Sequence, residues 1–436
     1  MRRKFAGAAR GDKVELSPVE SSAHTTGSAE RVLINGRLAD GDLVDISIAN
    51  GRIIGVSPAG GQLCEGAVID DITGHLLLPS LAEPHAHLDK ALTAEMAPNE
   101  AGDLMGAIDA WSQADARGLF THQDCVRRTT AALEMLLLSG VTAVRTHVNI
   151  GEDVGFDHLT AVQEAARAFE GLIDLQTVAL VHFPVVGPQG TANRRALAAA
   201  IEGGVDLVGG CPHLEDDGPA SIQVFLDAAS EAEMGLDLHV DETLAPTMLM
   251  LRELARAVMD RGFDLPVTAS HCVSLAVQPL ATQEAIAAEV AAAGIAVVAL
   301  PQTNLFLQGR GHHQGMPRAV TPVKVLQHAG VLVAAGGDNV QDPFNPVGRS
   351  DPLETAALMI MTSHVLPDAA YRMVSGDVRQ TMGLPRNDLR VGDVADLLAV
   401  RATSVRSAIA EAPADRRVYR AGRLVASSTT TSAVHR

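Results

Sequence analysis

Eight short apolar runs spaced along the middle of the chain constrain its fold more than any other feature. They read "HLLLPS", "VTAVRTHVNI", "LIDLQTVALVHF", "VDLVGG", "GLDLHVDE", "LPVTASHC", "GIAVVALP" and "GVLVAAGGDN". Between them lie stretches such as "SIQVFLDAASEAEM" and "ATQEAIAAEVAAAG", whose alanine and leucine content favours helix. Strand-like runs alternating with helices at these intervals make βα units. Eight units suit an α/β fold of the TIM-like (β/α)8 barrel type. Pattern alone also permits a doubly wound sheet.

The flanks differ. From Arg31, "RVLINGRLADGDLVDISIANGRIIGVSP" alternates β-type runs with the turn pairs NG, DG and NG, as small antiparallel strands do. "ADLLAVRA" and "RRVYRAGRLVAS" repeat that style near the C-terminus. The two segments are expected to pair into one small β-sandwich. The division is then a disordered tail at residues 1–29, rich in Ser, Ala, Gly, Thr and charge, a sandwich from 30–75 plus 385–428, and a catalytic barrel from 76–384.

Composition narrows the partners. The chain's 34 basic against 52 acidic residues leave a net charge of -18, which opposes binding to nucleic acid or an anionic membrane surface. Cys64, Cys125, Cys211 and Cys272 follow no ligand spacing and are read as buried thiols. No apolar segment follows the paired Arg2 and Arg3, and no run of about 18 apolar residues occurs, so no export signal or membrane span is expected. These features point to a cytoplasmic protein acting on a small molecule; homo-oligomer formation stays open.

In barrels of this kind, catalytic groups sit at the C-terminal ends of the strands. In "LLLPSLAEPHAHLDKAL" an apolar run gives way to Glu83, His85, His87, Asp89 and Lys90. Residues two apart on a strand point the same way, so His85 and His87 can share one cation. His239, His271 and Asp338 close the fifth, sixth and eighth runs. One histidine at a strand end is ordinarily a satisfied hydrogen-bonding residue; four with an aspartate, all at one mouth, suit a divalent cation of the zinc or ferrous type.

With "EPHAHLDKAL", "HVDE", "TASH", "FLQGR" and "GGDNVQDPF" in that order, the chain from about Arg31 to Ala426 resembles the amidohydrolase superfamily, in its cytosine deaminase-like branch. The resemblance implies hydrolytic deamination of an amino-substituted nitrogen heterocycle, cytosine or a close analogue. A pterin, guanine-like or triazine ring is the alternative substrate, and a non-catalytic metal- or ligand-binding barrel the alternative of another class. It implies His85, His87, His239 and Asp338 as metal ligands, Glu242 as the proton-carrying acid, His271 as a neighbour of the metal-bound water, and Asp338 also as acceptor of the water's proton. A metal brings the pKa of its water toward neutrality, and Glu242, three residues past His239, is placed to protonate a ring nitrogen and then the departing amine. Binuclear members carry a modified lysine on the fourth strand. The lysines here are Lys4, Lys13, Lys90 and Lys324, none of which ends a middle strand, so one Zn or Fe ion is expected. Lys90 is read as a charged group at the mouth or surface.

Against authentic cytosine deaminase, two positions depart. His182 in "LVHFP" stands where the ring-reading glutamine is expected, and Asn339 stands where a second aspartate follows the metal aspartate. An imidazole and an amide offer a different donor and acceptor pattern, and the asparagine favours a carbonyl-bearing or anionic ring substituent. Phe344 replaces a tryptophan as an aromatic wall. Gln308 and Arg310 in "NLFLQGR" are expected to line the pocket; His312 and His313 are read as loop residues.

Overall fold

The computed structural model describes residues 30–62, 65–385 and 387–435. The expected tail at 1–29, with Lys4 and Lys13, and also Cys64, lie outside the described residues. Five strands open the chain: β1 (Arg31–Arg37), β2 (Leu43–Ala49), β3 (Arg52–Pro58), β4 (Val68–Asp71) and β5 (Leu76–Pro79). Eight more follow: β6 (Leu81–Ala86), β7 (Val141–Ile150), β8 (Asp174–Val181), β9 (Leu207–Gly209), β10 (Gly235–Val240), β11 (Val267–His271), β12 (Ala296–Ala299) and β13 (Val333–Ala335). The last three are β14 (Leu397–Val400), β15 (Arg416–Arg420) and β16 (Arg423–Ser428).

Strands β6 to β13 pair in sequence order, every neighbour parallel, and a bridge between Ala86 and Asp338 links the first strand to the turn after the last. This is the eight-stranded barrel that the apolar runs predict. The two flanks combine into one sheet of order β16-β15-β14-β5-β1-β2-β3, with β4 also on β1. Its pairings are antiparallel except where β4 and β5 meet β1.

One run is reassigned. "HLLLPS", read as the first barrel strand, forms β5, which pairs with β14 in the small sheet. Its side chains alternate: Leu77 packs into the small-sheet core with Leu33, Ile46 and Leu397, whereas Leu76 and Leu78 join the barrel's core. The first barrel strand is the next segment, "LAEPHA", whose Glu83 and Pro84 disguise it. Proline donates no ladder hydrogen bond, and the register with β7 slips between Glu83 and Ala86.

Between β6 and β7 the chain inserts α1 (Leu104–Ala116) and α2 (His122–Leu138); α3 (Asp157–Arg167) follows β7. Asp103 caps α1 by accepting from Gly106 N, and Thr121 caps α2 by accepting from Asp124 N. α1 buries Ala107, Trp111 and Ala114, and Trp111 packs in a satellite cluster with Ala97 and Phe120. The barrel interior holds a buried ion pair, Arg145 Nη1 to Asp237 Oδ2 at 2.7 Å, and the same guanidinium donates to Thr268 Oγ1. No helix among the described residues is long and apolar enough to cross a membrane.

Candidate active site at the barrel mouth

Four strand ends bring their polar residues to one point. His85 lies on β6 and His87 just past it, flanking the Ala86 that bridges to Asp338. His239 lies on β10 and His271 ends β11. His239 Nε2 is 3.1 Å from His85 Nε2 and 3.2 Å from His87 Nε2. Asp338 Oδ1 lies 3.3 Å from His87 Nε2 and 3.7 Å from His85 Nε2. Asp338 is 2% exposed, and neither of its oxygens accepts a hydrogen bond among the described residues. His271 and Asp338 both adopt positive φ, at 71° and 64°, a conformation that non-glycine residues hold only when their surroundings enforce it.

Hydrogen-bond partners behind two of these rings, His85 and His271, fix which nitrogen faces inward. Ser270 Oγ donates to Asp237 Oδ1 at 3.3 Å, so toward His85 Nδ1, at 2.8 Å, it can only accept. His85 therefore carries its proton on Nδ1 and presents the Nε2 lone pair. Asn304 Oδ1 is an acceptor, so His271 also donates from Nδ1, at 3.0 Å, and its Nε2 faces Glu242 Oε2 at 3.7 Å. Burial first, and then neighbouring charges, hold His85, His87 and His239 well below the ordinary histidine value; burial lowers His271 to about 4. Burial, and then the charge of Asp338, raises Glu242 well above the usual carboxylate range, and burial also raises Asp338. His85 and His271 thus turn their Nε2 lone pairs inward, and buried imidazoles of lowered pKa beside a buried carboxylate without a donor are the groups a divalent cation takes. His85, His87 and Asp338 offer ligand atoms that all lie within 4.8 Å of one another, as do His85, His239 and His271.

The remaining assignments divide. His182, Asn339 and Phe344 line a cavity of about 260 Å³ together with Glu242, His271 and Asp338. Burial, then Lys90, lowers His182. Asn339 spends an amide hydrogen on Asp342 Oδ2 at 2.7 Å, and Asp342 is raised to about 7 by its burial. Gln308 does not line the cavity. Its amide donates to the Glu242 carbonyl at 2.9 Å, which corrects its expected place against substrate to one behind the acid's turn. Arg310 is exposed and lies over Phe306. Lys90, read as a mouth or surface group, is 3% exposed and lines the cavity, because the insertion carrying α1 packs over it. Its Nζ lies 2.8 Å from Asn149 Oδ1 and 3.1 Å from His87 Nδ1, where a coordinating histidine ordinarily finds an acceptor.

Three contributors escape sequence reasoning. Glu83, 4% exposed, accepts from His85 N at 3.0 Å and Gly337 N at 2.9 Å and so ties the first strand to the turn bearing Asp338. Burial pushes its carboxyl up to about 8. A Cβ at Gly336 would stand 2.3 Å from Glu83 Oε1, so any larger residue there would displace that carboxylate. Trp111 and Asn149 also line the cavity; Trp111 lies on a helix of the insertion, whereas Asn149 lies near the end of β7, two residues past His147, where its run gave no sign of a role in the cavity.

Residues 115–426 match the amidohydrolase family. A pterin deaminase of Rhizobium rhizogenes is 34% identical over 391 residues, 87% of each chain. The 5-methylcytosine deaminase of Klebsiella pneumoniae, solved with phosphonocytosine, superposes with a TM-score of 0.84 at 29% identity, covering 93% of this chain and 100% of that one. The N-isopropylammelide isopropylaminohydrolase of Burkholderia multivorans superposes with a TM-score of 0.79 at 28% identity, covering 91% and 98%.

Proposed function

The chain belongs to the amidohydrolase family, and on that premise we propose that it is a metal-dependent hydrolase that removes the exocyclic amine from an amino-oxo nitrogen heterocycle. The observation that carries this reading is the convergence, at the base of one cavity, of three imidazoles and an unpartnered carboxylate with Glu242 beside them. His85, His87, His239 and Asp338 would hold one divalent ion, zinc or iron. Bound there, such an ion supplies water of lowered pKa at neutral pH. β9, the fourth barrel strand, and the turn after it carry no lysine of their own, and Cys211 lines the cavity there instead; this supports one ion rather than two.

The chain's own groups then have distinct tasks. Asp338 accepts the proton of the attacking water. His271, its Nδ1 fixed by Asn304, turns the Nε2 lone pair toward that water and holds it in line. Glu242, its carboxyl raised by burial, gives a proton to the ring nitrogen beside the amine-bearing carbon, takes up the proton of the new hydroxyl as the oxo group forms and passes it to the departing amine, and the proton held by Asp338 returns Glu242 to its starting state. One C–O bond forms, one C–N bond breaks, ammonia leaves, and the ring gains an oxo group.

Pterin, 5-methylcytosine and N-isopropylammelide, the rings in the relatives' names, share an amine-bearing carbon separated by one ring nitrogen from a carbonyl. We favour a pterin-like fused ring over cytosine. The 34% identity to a pterin deaminase supports this, as do His182 and Asn339, which depart from the cytosine deaminase pattern in the lining of the cavity. A non-catalytic barrel is disfavoured by the intact set of ligands, acid and His271. Ammonia release from pterin, cytosine, guanine and ammelide, before and after chelation and with zinc or iron restored, tests the proposal. Metal-dependent release from one or more of these rings is expected; no release from any overturns it.

A further inference from the structure

Trp111 is the only tryptophan in the chain. Its ring is 2% exposed and lines the cavity, yet its indole N–H has no partner among the described residues. Indole nitrogen donates and never accepts, and buried donors are nearly always paired. A buried donor left unpaired on the wall of a ligand cavity is one whose acceptor arrives with the ligand.

The surroundings hold this donor in place. The ring lies against Phe120, centroids 5.7 Å apart, and against His158 at 5.2 Å. α1, which carries it, is capped by Asp103 at its start and tied near its end by Asp115 Oδ1 to His158 Nε2 on α3, at 3.1 Å. Lys90 Nζ stands 5.6 Å from the indole centroid on the same cavity wall, and Phe344 stands 5.8 Å from that Nζ. The indole ring thus carries an ammonium over its face, and Phe344 lies within reach of the same ammonium.

We propose that Trp111 is a specificity-determining residue whose indole N–H, beside the Lys90 ammonium, reads the carbonyl edge of the bound ring. The inference rests on the deaminase reading for the kind of ring, and on the unpaired donor for the contact. In an amino-oxo heterocycle the carbonyl oxygen concentrates negative charge, and its two lone pairs accept two hydrogen bonds. A ring with the same amine and no oxo group leaves the indole N–H buried and unpaired, and sites built around such donors reject analogues that lack the acceptor.

The test compares matched pairs, pterin with 2-aminopteridine and cytosine with 4-aminopyrimidine, each differing by one oxo group. In the wild type, cytosine should quench the single indole at equilibrium with about tenfold tighter binding than 4-aminopyrimidine, the factor one net hydrogen bond supplies. Trp111→Phe keeps the ring and removes the donor. Whichever oxo ring the enzyme turns over should then show KM raised about tenfold with kcat little changed, while the partner without the oxo group stays within about twofold. Equal quenching by both members of the pyrimidine pair, or an equal loss on both members in Trp111→Phe, would make Trp111 a packing residue and overturn the proposal. If the wild type turns over none of these rings and neither guanine nor ammelide, the deaminase reading fails, and the fluorescence titration still decides whether the indole reads the edge.

Discussion

Ser270 touches no substrate, yet Ser270→Ala should weaken the metal centre by a predictable amount. Its buried Oγ accepts from His85 Nδ1 and donates to Asp237, and this arrangement keeps the His85 lone pair on the inward nitrogen. Alanine removes the only acceptor of that N–H among the described residues. A buried donor left without a partner costs about 1–3 kcal/mol. The ring can escape that cost by moving its proton to Nε2, but this abolishes the lone pair offered to the ion, so either route is felt as weaker ion binding. Loss of such an outer partner typically lowers ion affinity about 10- to 100-fold, which is about 1.4–2.8 kcal/mol; the two estimates agree. Zinc affinity by chelator competition gives the first measurement, and urea unfolding at a fixed zinc concentration the second. At about 100 times the wild-type dissociation constant, the ion stabilises the fold by about 2.7 kcal/mol, and a tenfold loss of affinity should halve that gain. A Ser270→Ala protein that binds zinc as tightly as the wild type would refute the reasoning that Ser270 sets the His85 tautomer.

Three other outcomes are expected. Glu242→Gln should keep its metal content and lose turnover by about 10²- to 10⁴-fold, because the amide preserves shape and carries no transferable proton; metal analysis beside steady-state rates checks both halves. Burial alone would lower His158, but its hydrogen bond to Asp115, with Cys125 and the charge of Asp89, raises it to about 10. A folded-state value above the unfolded one stabilises fully below the unfolded value, about 6.5, and is lost as pH rises through about 10. Urea unfolding should therefore show Asp115→Asn less stable than the wild type by a margin that is widest near pH 6, narrows steadily above it and closes beyond about pH 10. The double change His182→Gln with Asn339→Asp should raise the rate on cytosine relative to pterin about tenfold or more, as measured by paired kcat/KM values; an unaltered ratio would remove both residues from ring recognition.

Seven of the eight apolar runs are barrel strands, because a strand buried on both faces must be apolar almost throughout and is visible as such. The eighth misleads for a physical reason: "HLLLPS" is also buried on both faces, but between the small sheet and the barrel, while the true first strand trades apolar residues for Glu83, Pro84 and His85. The convergence of the histidines with Asp338 was legible because strand ends of a parallel barrel share one rim. What depended on the insertion between β6 and β7 was not. The sequence carries no periodic signal that α1 lays Trp111 along the cavity, and without that cover Lys90 reads as a surface charge. Gln308 sits in a recognisable motif, but motif membership does not say which way an amide points; here it supports the turn of Glu242 from behind.

The tie between Glu83 and Gly337 joins residues 254 positions apart, and the Ala86–Asp338 bridge closes the barrel beside it. Closing so long a loop is entropically costly and comes late in assembly. On a chain emerging from the ribosome, the proposed histidine ligands are made first, whereas the aspartate follows only after most of the polypeptide is out. The ion's complete coordination shell and the last seam of the barrel are then one event, and a nascent or truncated chain ending before β13 has histidines to offer passing metals but no finished place to keep one.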